Sequence, residues 1–426
     1  MKVLLIGNGG REHALAWKLL QSKRIQQVIC IPGNGGTATM ERCQNLALRI
    51  DDFEGMARFA LVHGISFVLV GPELPLALGI TDYLKRQNIK VFGPSKAGAQ
   101  IEASKSWAKL LMQEAGMPTA RSETFTDAAA AKAYIAEQGA PIVVKADGLA
   151  AGKGVTVAAT VQEAQAAIDD LFQNQSQQVV VEEFLSGEEV SILALTDGLT
   201  IRPLLPAQDH KRIGEGDTGA NTGGMGAYAP APLATPELMQ RVQQEVLEPA
   251  IATLKARGID YRGVLYAGLM VTPEGDPKVL EFNCRFGDPE TQAILPLLET
   301  PLEDLLLACI EQRLAQQPPI AWKPGVATCV VIAAGGYPGT YQKGHLITGI
   351  EAAEAKGATV FHAGTYLKQQ QLVTDGGRVL GVTAIGENFD SSIDQAYAAV
   401  SCIQFEGMYY RQDIAYRVRT AESTRD

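Results

Sequence analysis

Short apolar runs alternate with amphipathic, helix-like stretches over the first 100 residues. The apolar runs cover residues 3–6, 28–31, 67–70 and 91–92, and helical patterns at 13–22 and 51–62 lie between them. That alternation is typical of βαβ units, in which parallel strands form one sheet with helices on both faces. We therefore predict a doubly wound parallel sheet at the N-terminus.

Each of these strands runs into a glycine-rich turn, at residues 7–10, 32–36, 71–73 and 93–95. Ligands of such sheets bind at the carboxyl ends of the strands, so four turns there favour a closely approached ligand over plain tight turns. The first turn is not a dinucleotide fingerprint, because Glu12 stands where the third glycine would be. The free N–H groups of the following helix suit a phosphate monoester instead.

A helical link at 97–115 leads to a second pattern, which predicts a small α+β unit. Its expected elements are strands at 141–145, 155–158 and 179–182, a glycine-rich tip at 147–154 and a helix at 161–172. The apolar run at 190–195 is expected to continue the same sheet.

Two further α+β units complete the predicted organisation. The third unit has a glycine loop at 221–227, a helix at 235–256 and a hairpin of 264–271 with 279–283. The last has strands at 328–334, 359–362 and 378–385 and a helix at 391–402. The predicted domains are 1–120 with its helical link, 121–189, 190–325 and 326–426.

Composition narrows the classes of function. The chain has 426 residues, 46% apolar and 20% charged, which fits a globular protein of several domains. Its 37 basic and 47 acidic side chains give a net charge of −10, which disfavours a broad nucleic-acid surface. No apolar run approaches the roughly 18 residues of a membrane helix, and the six cysteines show no C-x-x-C spacing. We expect free thiols, no membrane partner and a cytoplasmic location.

Lysine and glycine residues of the second unit indicate phosphate chemistry. Lys145 ends a strand and precedes the glycine-rich tip at 147–154. The segment is not a Walker P-loop, since it lacks G-K-[ST] and joins two strands. A lysine beneath a flexible glycine hairpin still suits phosphate binding. The bend from Glu182 to Glu188 suits an adenosine, although taken alone an acidic solvated linker explains it better.

The most specific segment runs from Glu281 to Gln292. The period of two in a strand puts Glu281, Asn283 and Arg285 on one face. A carboxylate and an amide oxygen suit Mg²⁺, and an arginine beside them suits a phosphoryl group. A structural ion pair would explain Glu281 with Arg285 but not Asn283, so we favour a metal–phosphate site.

Two more polar segments cover residues 208–212 and 221–228. His210, among charged neighbours, is expected on the surface rather than in catalysis. The sequence has no G-x-S-x-G elbow and no Cys/His pairing that compels a covalent nucleophile.

These segments, in this order, resemble the ATP-grasp superfamily and, within it, the family of phosphoribosylamine–glycine ligases. The matching phrases are residues 6–14, 144–155, 208–212, 221–227 and 281–291, and the likeness covers essentially the whole chain. The resemblance implies an α/β, biotin-carboxylase-like layout. Its parts are an N-terminal doubly wound parallel-sheet domain that binds the substrate phosphate, a small α+β lid domain, a larger α+β domain with the metal site, and a C-terminal α+β domain.

The resemblance also implies roles for individual residues. Catalytic roles fall to Arg285 and Lys145, and the metal ligands are Glu281 and Asn283. ATP contacts are implied for Lys105, Lys145, Gly152, Lys153, Glu182, Glu183, Phe184, Leu185, Glu188 and Lys211. Substrate contacts are implied for Asn8, Gly9, Gly10, Gly33, Asn34, Glu73, Asp209, Asn221, Thr222, Gly223, Gly224, Arg285 and Asp288. The strand at 264–271 lacks the further carboxylate of many ATP-grasp enzymes, so a third protein ligand of the metal is unassigned.

The implied reaction joins glycine to 5-phosphoribosylamine with ATP, through glycyl phosphate, and gives glycinamide ribonucleotide, ADP and phosphate in purine biosynthesis. The expected metal is Mg²⁺, with Mn²⁺ as an alternative, and the expected protein is a monomer without a nucleic-acid partner. Three other readings stay open: an ATP-grasp ligase or carboxylase with a different acid, a nucleotide-sensing module without catalysis and, least favoured, a dehydrogenase.

Overall fold

The fold begins with the predicted parallel sheet. The computed structural model describes residues 1–149, 154–174 and 176–423. The five parallel strands stand in the order Cys43–Asn45, Gln27–Pro32, Lys2–Gly7, Phe67–Val70 and Val91–Phe92. The helices between them are Gly10–Leu20, Gly35–Thr39, Phe53–His63, Glu73–Leu78 and Ile80–Arg86. The predicted strands are confirmed, whereas the polar edge strand Cys43–Asn45 gave no apolar signal and was missed.

Alternate residues of these strands enter two hydrophobic cores, one on each face of the sheet. Leu4 and Ile6 lie in one core, and Val3 and Leu5 lie in the other. Such two-sided burial is characteristic of parallel sheets, and each buried side chain of this size contributes about 1.5–3 kcal/mol. The chain leaves the central strand, Lys2–Gly7, first to one side and then to the other. Its carboxyl edge is therefore the crevice where α/β proteins bind ligands.

The second sheet is small and antiparallel. Its strands stand in the order Ser122–Phe125, Val179–Glu183, Ile142–Ala146 and Val155–Ala158. Helices Ala128–Gln138 and Val161–Gln173 pack on it through a core that includes Ile135, Val144 and Ile168. Helices Gln100–Ala103 and Lys105–Glu114 connect the first sheet to this one. The predicted hairpin, helix and third strand are confirmed.

The third sheet is also antiparallel. Its strands stand in the order Ile201–Pro203, Glu188–Thr196, Gly263–Val271 and Pro277–Asn283. The prediction that residues 190–195 continue the small sheet is wrong, because all nine residues of Glu188–Thr196 pair with the nine of Gly263–Val271. The small sheet's strands, of four or five residues, offer no partner of that length. One helical stretch accompanies the sheet, as Pro236–Val242, a π-helical turn Gln243–Leu247, and Glu248–Ala256.

The fourth sheet combines strands from two parts of the chain. Its order is Gln208–Asp209, Gly226–Ala229, Val326–Ala334, Arg378–Gly386 and Thr359–His362, with Met408–Tyr409 beside Val326–Ala334. The remaining hairpins are Arg212–Gly214 with Thr218–Asn221 and Thr365–Lys368 with Gln371–Thr374. The remaining helices and helical turns are Glu215–Asp217, Glu290–Ile294, Leu295–Leu297, Leu302–Ile310, Leu314–Gln316, Ile350–Glu354, Phe389–Val400 and Tyr416–Ser423. In the part of the chain that the structure describes, no helix has the length and apolar character to cross a membrane.

Candidate active site

A chain of buried charges joins the small sheet to the third sheet. Lys145, near the end of its strand, donates from Nζ to Glu182 Oε2 at 2.8 Å and to Leu280 O at 3.4 Å. Glu182 Oε2 also lies 3.4 Å from Lys109 Nζ. Glu182 is only 3% exposed, so it does not belong to a solvated linker. Leu280 directly precedes Glu281, so the structure brings a predicted ATP residue next to the predicted metal strand.

Lys105 enters the same region from the first turn of its helix. Its Nζ donates to Gly148 O at 2.9 Å, and its backbone N–H donates to Asp147 Oδ1 at 2.5 Å. The Ser106 hydroxyl donates to Asp147 Oδ2 at 2.6 Å. An aspartate is favourable at a helix N-terminus, so Asp147 fixes the base of the glycine-rich tip. The predicted ATP residues Gly152 and Lys153 lie outside the described residues.

Lys109 belongs to this cluster, although the sequence analysis did not single it out. Its Nζ donates to Thr119 Oγ1 at 2.8 Å and to Ala120 O at 3.3 Å. Burial lowers the pKa of Lys109 to about 8, with Glu182 opposing the shift. The available signal was spacing, because residues four apart on a helix share a face, and Lys109 follows Lys105 by four.

Arg285 connects the predicted metal site to the N-terminal sheet. Its Nη2 lies 3.1 Å from Asn283 Oδ1 and 3.0 Å from Glu102 Oε1. Its Nε lies 3.4 Å from Glu73 Oε2. Burial opposes ionisation of Glu73, but Arg285 and Arg11 outweigh it and hold the pKa of that carboxyl below its usual value. One guanidinium thus joins a predicted substrate residue to a predicted metal ligand.

Glu281 lies among positive charges. Burial opposes its ionisation, yet Lys211, Lys145 and Lys105 hold the pKa of its carboxyl below the usual value. Asn283 Oδ1 retains a second lone pair beside the bond from Arg285. A carboxylate and an amide oxygen fit Mg²⁺, which takes few protein ligands and completes its shell with phosphates and water. Within residues 1–149, 154–174 and 176–423, no group of three His, Cys, Asp or Glu side chains is placed to hold a metal ion.

Asp209 and Lys211 approach from the strand and loop beside the third sheet. The Lys211 ammonium donates to the Glu189 carboxylate. Burial opposes the charge of Lys211, but Glu189 and Asp209 raise its pKa well above the usual value. Burial raises the pKa of Asp209 to about 7, with Lys211 opposing and Glu290 adding to the shift. Burial therefore makes Asp209 a weaker acid than an exposed aspartate.

His210 is fully buried, so the expectation of a surface histidine is wrong. Its Nε2 accepts the Ala415 N–H at 2.9 Å, and its Nδ1 lies 3.4 Å from Asp217 Oδ1. Asp217 Oδ1 also accepts from Arg411 Nη1 at 2.8 Å. The cause is tertiary, since the C-terminal segment covers the loop that follows Asp209. His210 thereby ties this loop to the end of the chain.

In the first glycine turn, backbone N–H groups already donate to carboxylates of the protein. The Gly9 N–H donates to Glu12 Oε2 at 2.7 Å, and the Arg11 N–H donates to Asp288 Oδ2 at 3.2 Å. A Cβ atom at Gly7 would lie 2.5 Å from the Glu12 side chain, and one at Gly9 would lie 2.8 Å from it. These glycines therefore make room for a buried carboxylate, a reason that the sequence pattern did not reveal.

The Asn34 side chain shapes the neighbouring turn through hydrogen bonds to backbone groups. Its Oδ1 accepts the N–H groups of Gly36 and Thr37 at 2.9 and 3.0 Å. Its Nδ2 donates to Asn8 O at 3.0 Å and to His362 O at 2.8 Å. Two donors and two acceptors are the full capacity of an amide side chain. The Asn34 backbone is engaged as well, because its N–H donates to Thr37 Oγ1 at 2.8 Å and its carbonyl accepts from Asn45 Nδ2 at 2.8 Å.

The remaining predicted residues lie around these groups. A Cβ at Gly10 would collide with the Gln292 side chain at 2.5 Å, and Gly33 adopts a φ of 72° against Asn45. In the bend, Arg121 Nε donates to Glu183 Oε2 at 2.8 Å. Phe184 and Leu185 follow, and Phe184 is 39% exposed. Glu188 begins the strand that pairs with Gly263–Val271.

The loop at 221–224 is held from both sides. Thr222 Oγ1 donates to Lys211 O at 2.8 Å. The Gly223 N–H donates to the Tyr337 hydroxyl at 3.0 Å, and Arg378 Nη1 donates to Gly223 O at 2.5 Å. Gly224 follows with a φ of 111°. Tyr337 and Arg378 belong to the C-terminal region, and nothing in the local sequence pattern linked them to this loop.

Comparison with known proteins identifies the family of the chain. Three family models of phosphoribosylglycinamide synthetase match the chain: the N domain at residues 1–102, the ATP-grasp (A) domain at 103–291 and the C domain at 327–417. A phosphoribosylamine–glycine ligase from Nostoc sp. is 72% identical over 99% of this chain and 100% of its own length. The corresponding protein from Synechocystis sp. is 60% identical over 98% of this chain and 100% of its own.

Solved structures give the same result. The crystal structure of a phosphoribosylamine–glycine ligase from Thermotoga maritima is 34% identical, has a TM-score of 0.84, and covers 97% of this chain and 100% of its own. A biotin carboxylase from Campylobacter jejuni shares the fold, with a TM-score of 0.71 at 15% identity over 96% and 92% of the two chains. The expected ATP-grasp fold and the resemblance drawn from the sequence are confirmed. The chain belongs to the phosphoribosylglycinamide synthetase family.

Proposed function

We propose that the chain ligates glycine to 5-phosphoribosylamine with ATP, giving glycinamide ribonucleotide, ADP and phosphate in purine biosynthesis. The observation that carries the proposal is the buried Glu182 carboxylate between Lys145 and Lys109, with Lys145 also donating to the carbonyl of Leu280, directly before Glu281. Positive charges around one carboxylate suit a triphosphate with its divalent cation. The names of relatives at 72% and 60% identity point to glycine and phosphoribosylamine as the substrates.

ATP binds, in this proposal, between the small sheet and the third sheet. The adenosine lies against the bend at 182–188, and the ammonium groups of Lys105 and Lys145 contact the phosphates. Lys145 already faces a carboxylate, Glu182, so a phosphate oxygen can share or replace that partner. Glu281 and Asn283 would hold Mg²⁺, or Mn²⁺ in its place. A cation held there would offset the charge of the phosphates, and Arg285 would add a positive charge beside it.

The chemistry has two steps, and neither needs a protein nucleophile. A glycine carboxylate oxygen attacks the γ-phosphorus of ATP, which releases ADP and leaves glycyl phosphate. The amine of 5-phosphoribosylamine then attacks the glycyl carbonyl carbon, and phosphate departs. The amine loses a proton in this step. Asp209 is the proposed acceptor, because it lies in the segment that also carries Lys211 and burial raises the pKa of its carboxyl.

The division of labour follows the four proposed domains. Residues 1–120 form one side of the 5-phosphoribosylamine site and 326–426 form the other, while 121–189 cover the nucleotide and 190–325 carry the metal site. We further propose a monomer that acts in the cytoplasm without a nucleic-acid or membrane partner. Size-exclusion chromatography with light scattering tests the oligomeric state, and a mass of two chains would contradict it.

A coupled ADP-release assay tests the function, with glycine, 5-phosphoribosylamine or Mg²⁺ left out in turn. Release of ADP is expected only in the complete mixture, with glycinamide ribonucleotide formed in equal amount. Turnover with a different carboxylic acid in place of glycine would support the other ATP-grasp ligases instead. ATP binding without turnover in the complete mixture would support the nucleotide sensor, and nicotinamide-dependent turnover the dehydrogenase.

A further inference from the structure

Arg378 reaches from the C-terminal sheet to the substrate side of the molecule. It begins the strand Arg378–Gly386, and its Nη1 donates to Gly223 O at 2.5 Å and to Asp288 O at 2.8 Å. The same nitrogen lies 3.3 Å from Asp288 Oδ1. Two predicted substrate segments thus meet on one nitrogen of a residue to which the sequence gave no role.

The opposite edge of the guanidinium is open. In the described ranges of the chain, all hydrogen bonds of the Arg378 side chain run through Nη1, and none involves Nε or Nη2. Neither nitrogen is among the buried polar atoms that lack a partner, so both are accessible to solvent. The side chain keeps 21% of its surface exposed. Nε and Nη2 form the edge with which arginine grips an oxyanion through two parallel hydrogen bonds.

Gly223 leaves room for the Arg378 guanidinium beside the loop at 221–224. A Cβ atom at Gly223 would lie 2.9 Å from Arg378 Cζ and 3.1 Å from Nη2. On its other side the loop is fixed by the bond from the Gly223 N–H to the Tyr337 hydroxyl. The guanidinium is therefore held in one place, with one edge committed to the protein and one edge free.

The N-terminal glycine turn has fewer free hydrogen-bond donors for a phosphate than Arg378 has. Its Gly9 and Arg11 N–H groups already donate to the carboxylates of Glu12 and Asp288. An anion entering there would have to displace a carboxylate. At Arg378 an anion meets Nε and Nη2, two donors without a partner to displace among the residues that the structure describes.

We propose that Arg378 binds the phosphate of 5-phosphoribosylamine through Nε and Nη2, while Nη1 holds the loop at 221–224. The identity of the sugar phosphate rests on the proposed function. Asp288 contacts both Arg378 and the backbone of Arg11, so it sets the distance between the bound phosphate and the N-terminal turn. The C-terminal region then contributes a substrate contact as well as packing.

Calorimetric binding of ribose 5-phosphate, a sugar phosphate without the reactive amine, tests this assignment on the full chain. Arg378→Met should weaken binding about tenfold to a hundredfold, the range for hydrogen bonds to a charged group, and Arg378→Lys should restore part of it. ATP affinity should not change. Tyr337→Phe removes the other contact of the loop and should change binding less than threefold, roughly the effect of one weak hydrogen bond. Arg202→Met is a remote control, because among the described residues the Arg202 side chain donates to the carbonyls of Ala315, Gln317 and Pro318, away from the loop at 221–224.

Equal affinity of the wild type and Arg378→Met for ribose 5-phosphate, or no binding by the wild type, would overturn the assignment. An equal loss in Tyr337→Phe and Arg378→Met would also overturn it, because loop placement would then explain both. In steady-state assays the KM for 5-phosphoribosylamine should rise in Arg378→Met while the KM for glycine stays constant. If the wild type turns over without needing glycine, the proposed function fails, yet the ribose 5-phosphate comparison still decides the role of Arg378.

Discussion

The N-terminal sheet edge and the cluster around Lys145 both bury many polar groups, but they satisfy them in different ways. At the sheet edge most bonds have a backbone group on one side: the Asn34 side chain bonds backbone N–H and C=O groups, and the carboxylates of Glu12 and Asp288 accept backbone N–H groups. Around Lys145 the partners are full charges, with Glu182 between Lys145 and Lys109. One region is a fixed network of directional bonds, and the other is a group of charges that balance each other.

This difference bears on how each region can receive a ligand. The bonds of Asn34 fix the shape of a turn, and no ligand atom can replace one without moving the backbone. A phosphate oxygen can replace a carboxylate as the partner of Lys145, because the interaction depends on charge and distance. The sheet edge is thus preformed, whereas the charge cluster is exchangeable. Breaking a buried pair by removing one partner leaves a charge uncompensated, which is strongly destabilising.

The largest expected effect comes from removing a charge at the exchangeable site. Lys145→Met should lower kcat by about a hundredfold to a thousandfold, the effect of losing one group that stabilises transition-state charge. The measurement is steady-state ADP release with both substrates saturating. We expect circular dichroism to show a folded protein, because Lys109 still pairs with Glu182 in this variant.

Lys132→Met is the matched control for Lys145→Met. Lys132 lies in the same small unit and pairs with Asp169 on the outside of the helices. Surface pairs of this kind contribute about 0–1 kcal/mol, so the control should keep wild-type kcat. Comparable losses in both variants would mean that the small unit, and not the charge of Lys145, limits turnover.

A second test separates metal binding from charge balance. Glu281→Gln keeps the shape of the side chain but removes its negative charge from among Lys211, Lys145 and Lys105. Turnover should fall by up to about a hundredfold, as for other groups that control a metal site, and half-maximal rate should require more Mg²⁺. An unchanged Mg²⁺ titration with lower turnover would show that Glu281 balances the lysines without holding the cation.

The local sequence pattern predicted most of the helices and strands, but it did not predict which distant segments pair or come into contact. Apolar runs located the parallel strands, and period-two spacing brought Asn283 and Arg285 together, as observed. Strand pairing is not local, so the partner of Glu188–Thr196 was missed. The same limit applies to Arg378, which meets Gly223 from 155 positions away. Spacing within one element is encoded locally, whereas contacts between distant segments arise only from packing.

Lowering the pH should destabilise the N-terminal sheet edge, because two histidines are buried there. The His362 N–H donates to His13 Nδ1 at 3.0 Å, and burial lowers the pKa of His362 to about 4. Burial and His362 also lower the pKa of His13. The unfolded chain, with a histidine pKa of about 6.5, binds more protons between about pH 6.5 and 4. Stability is therefore present at neutral pH and is lost as the pH falls through that window.

For His362 the loss between pH 7 and pH 5 is about 2 kcal/mol, at 1.36 kcal/mol per pKa unit. His362→Gln should shrink the pH dependence by about that amount in urea titrations that measure the free energy of unfolding. His63→Gln, at an exposed helix end, is the control and should leave the pH dependence as it is. The same slope in His362→Gln and the wild type would show that His362 is protonated in the folded protein at pH 5.

The smallest expected effect distinguishes two explanations for the glycine at position 9. A methyl group there would lie 2.8 Å from Glu12 Oε2 and 3.3 Å from Asp288 Oδ2, so it disturbs a buried carboxylate and narrows the approach to the turn. Gly9→Ala should raise the KM for 5-phosphoribosylamine about tenfold, equivalent to about 1.4 kcal/mol, with the KM for ATP unchanged. Gly7→Ala displaces the same Glu12 side chain, at 2.5 Å, without adding bulk at Gly9. If both variants raise the KM alike, Glu12 is the cause, and if only Gly9→Ala does, the substrate approaches the turn itself.

Gly64→Ala, with a φ of 63° and no atom within 4 Å, supplies a control that loses about 1–2 kcal/mol of stability through backbone strain alone. A KM change in that control would mean that lowered stability, and not contact at the turn, explains the other two.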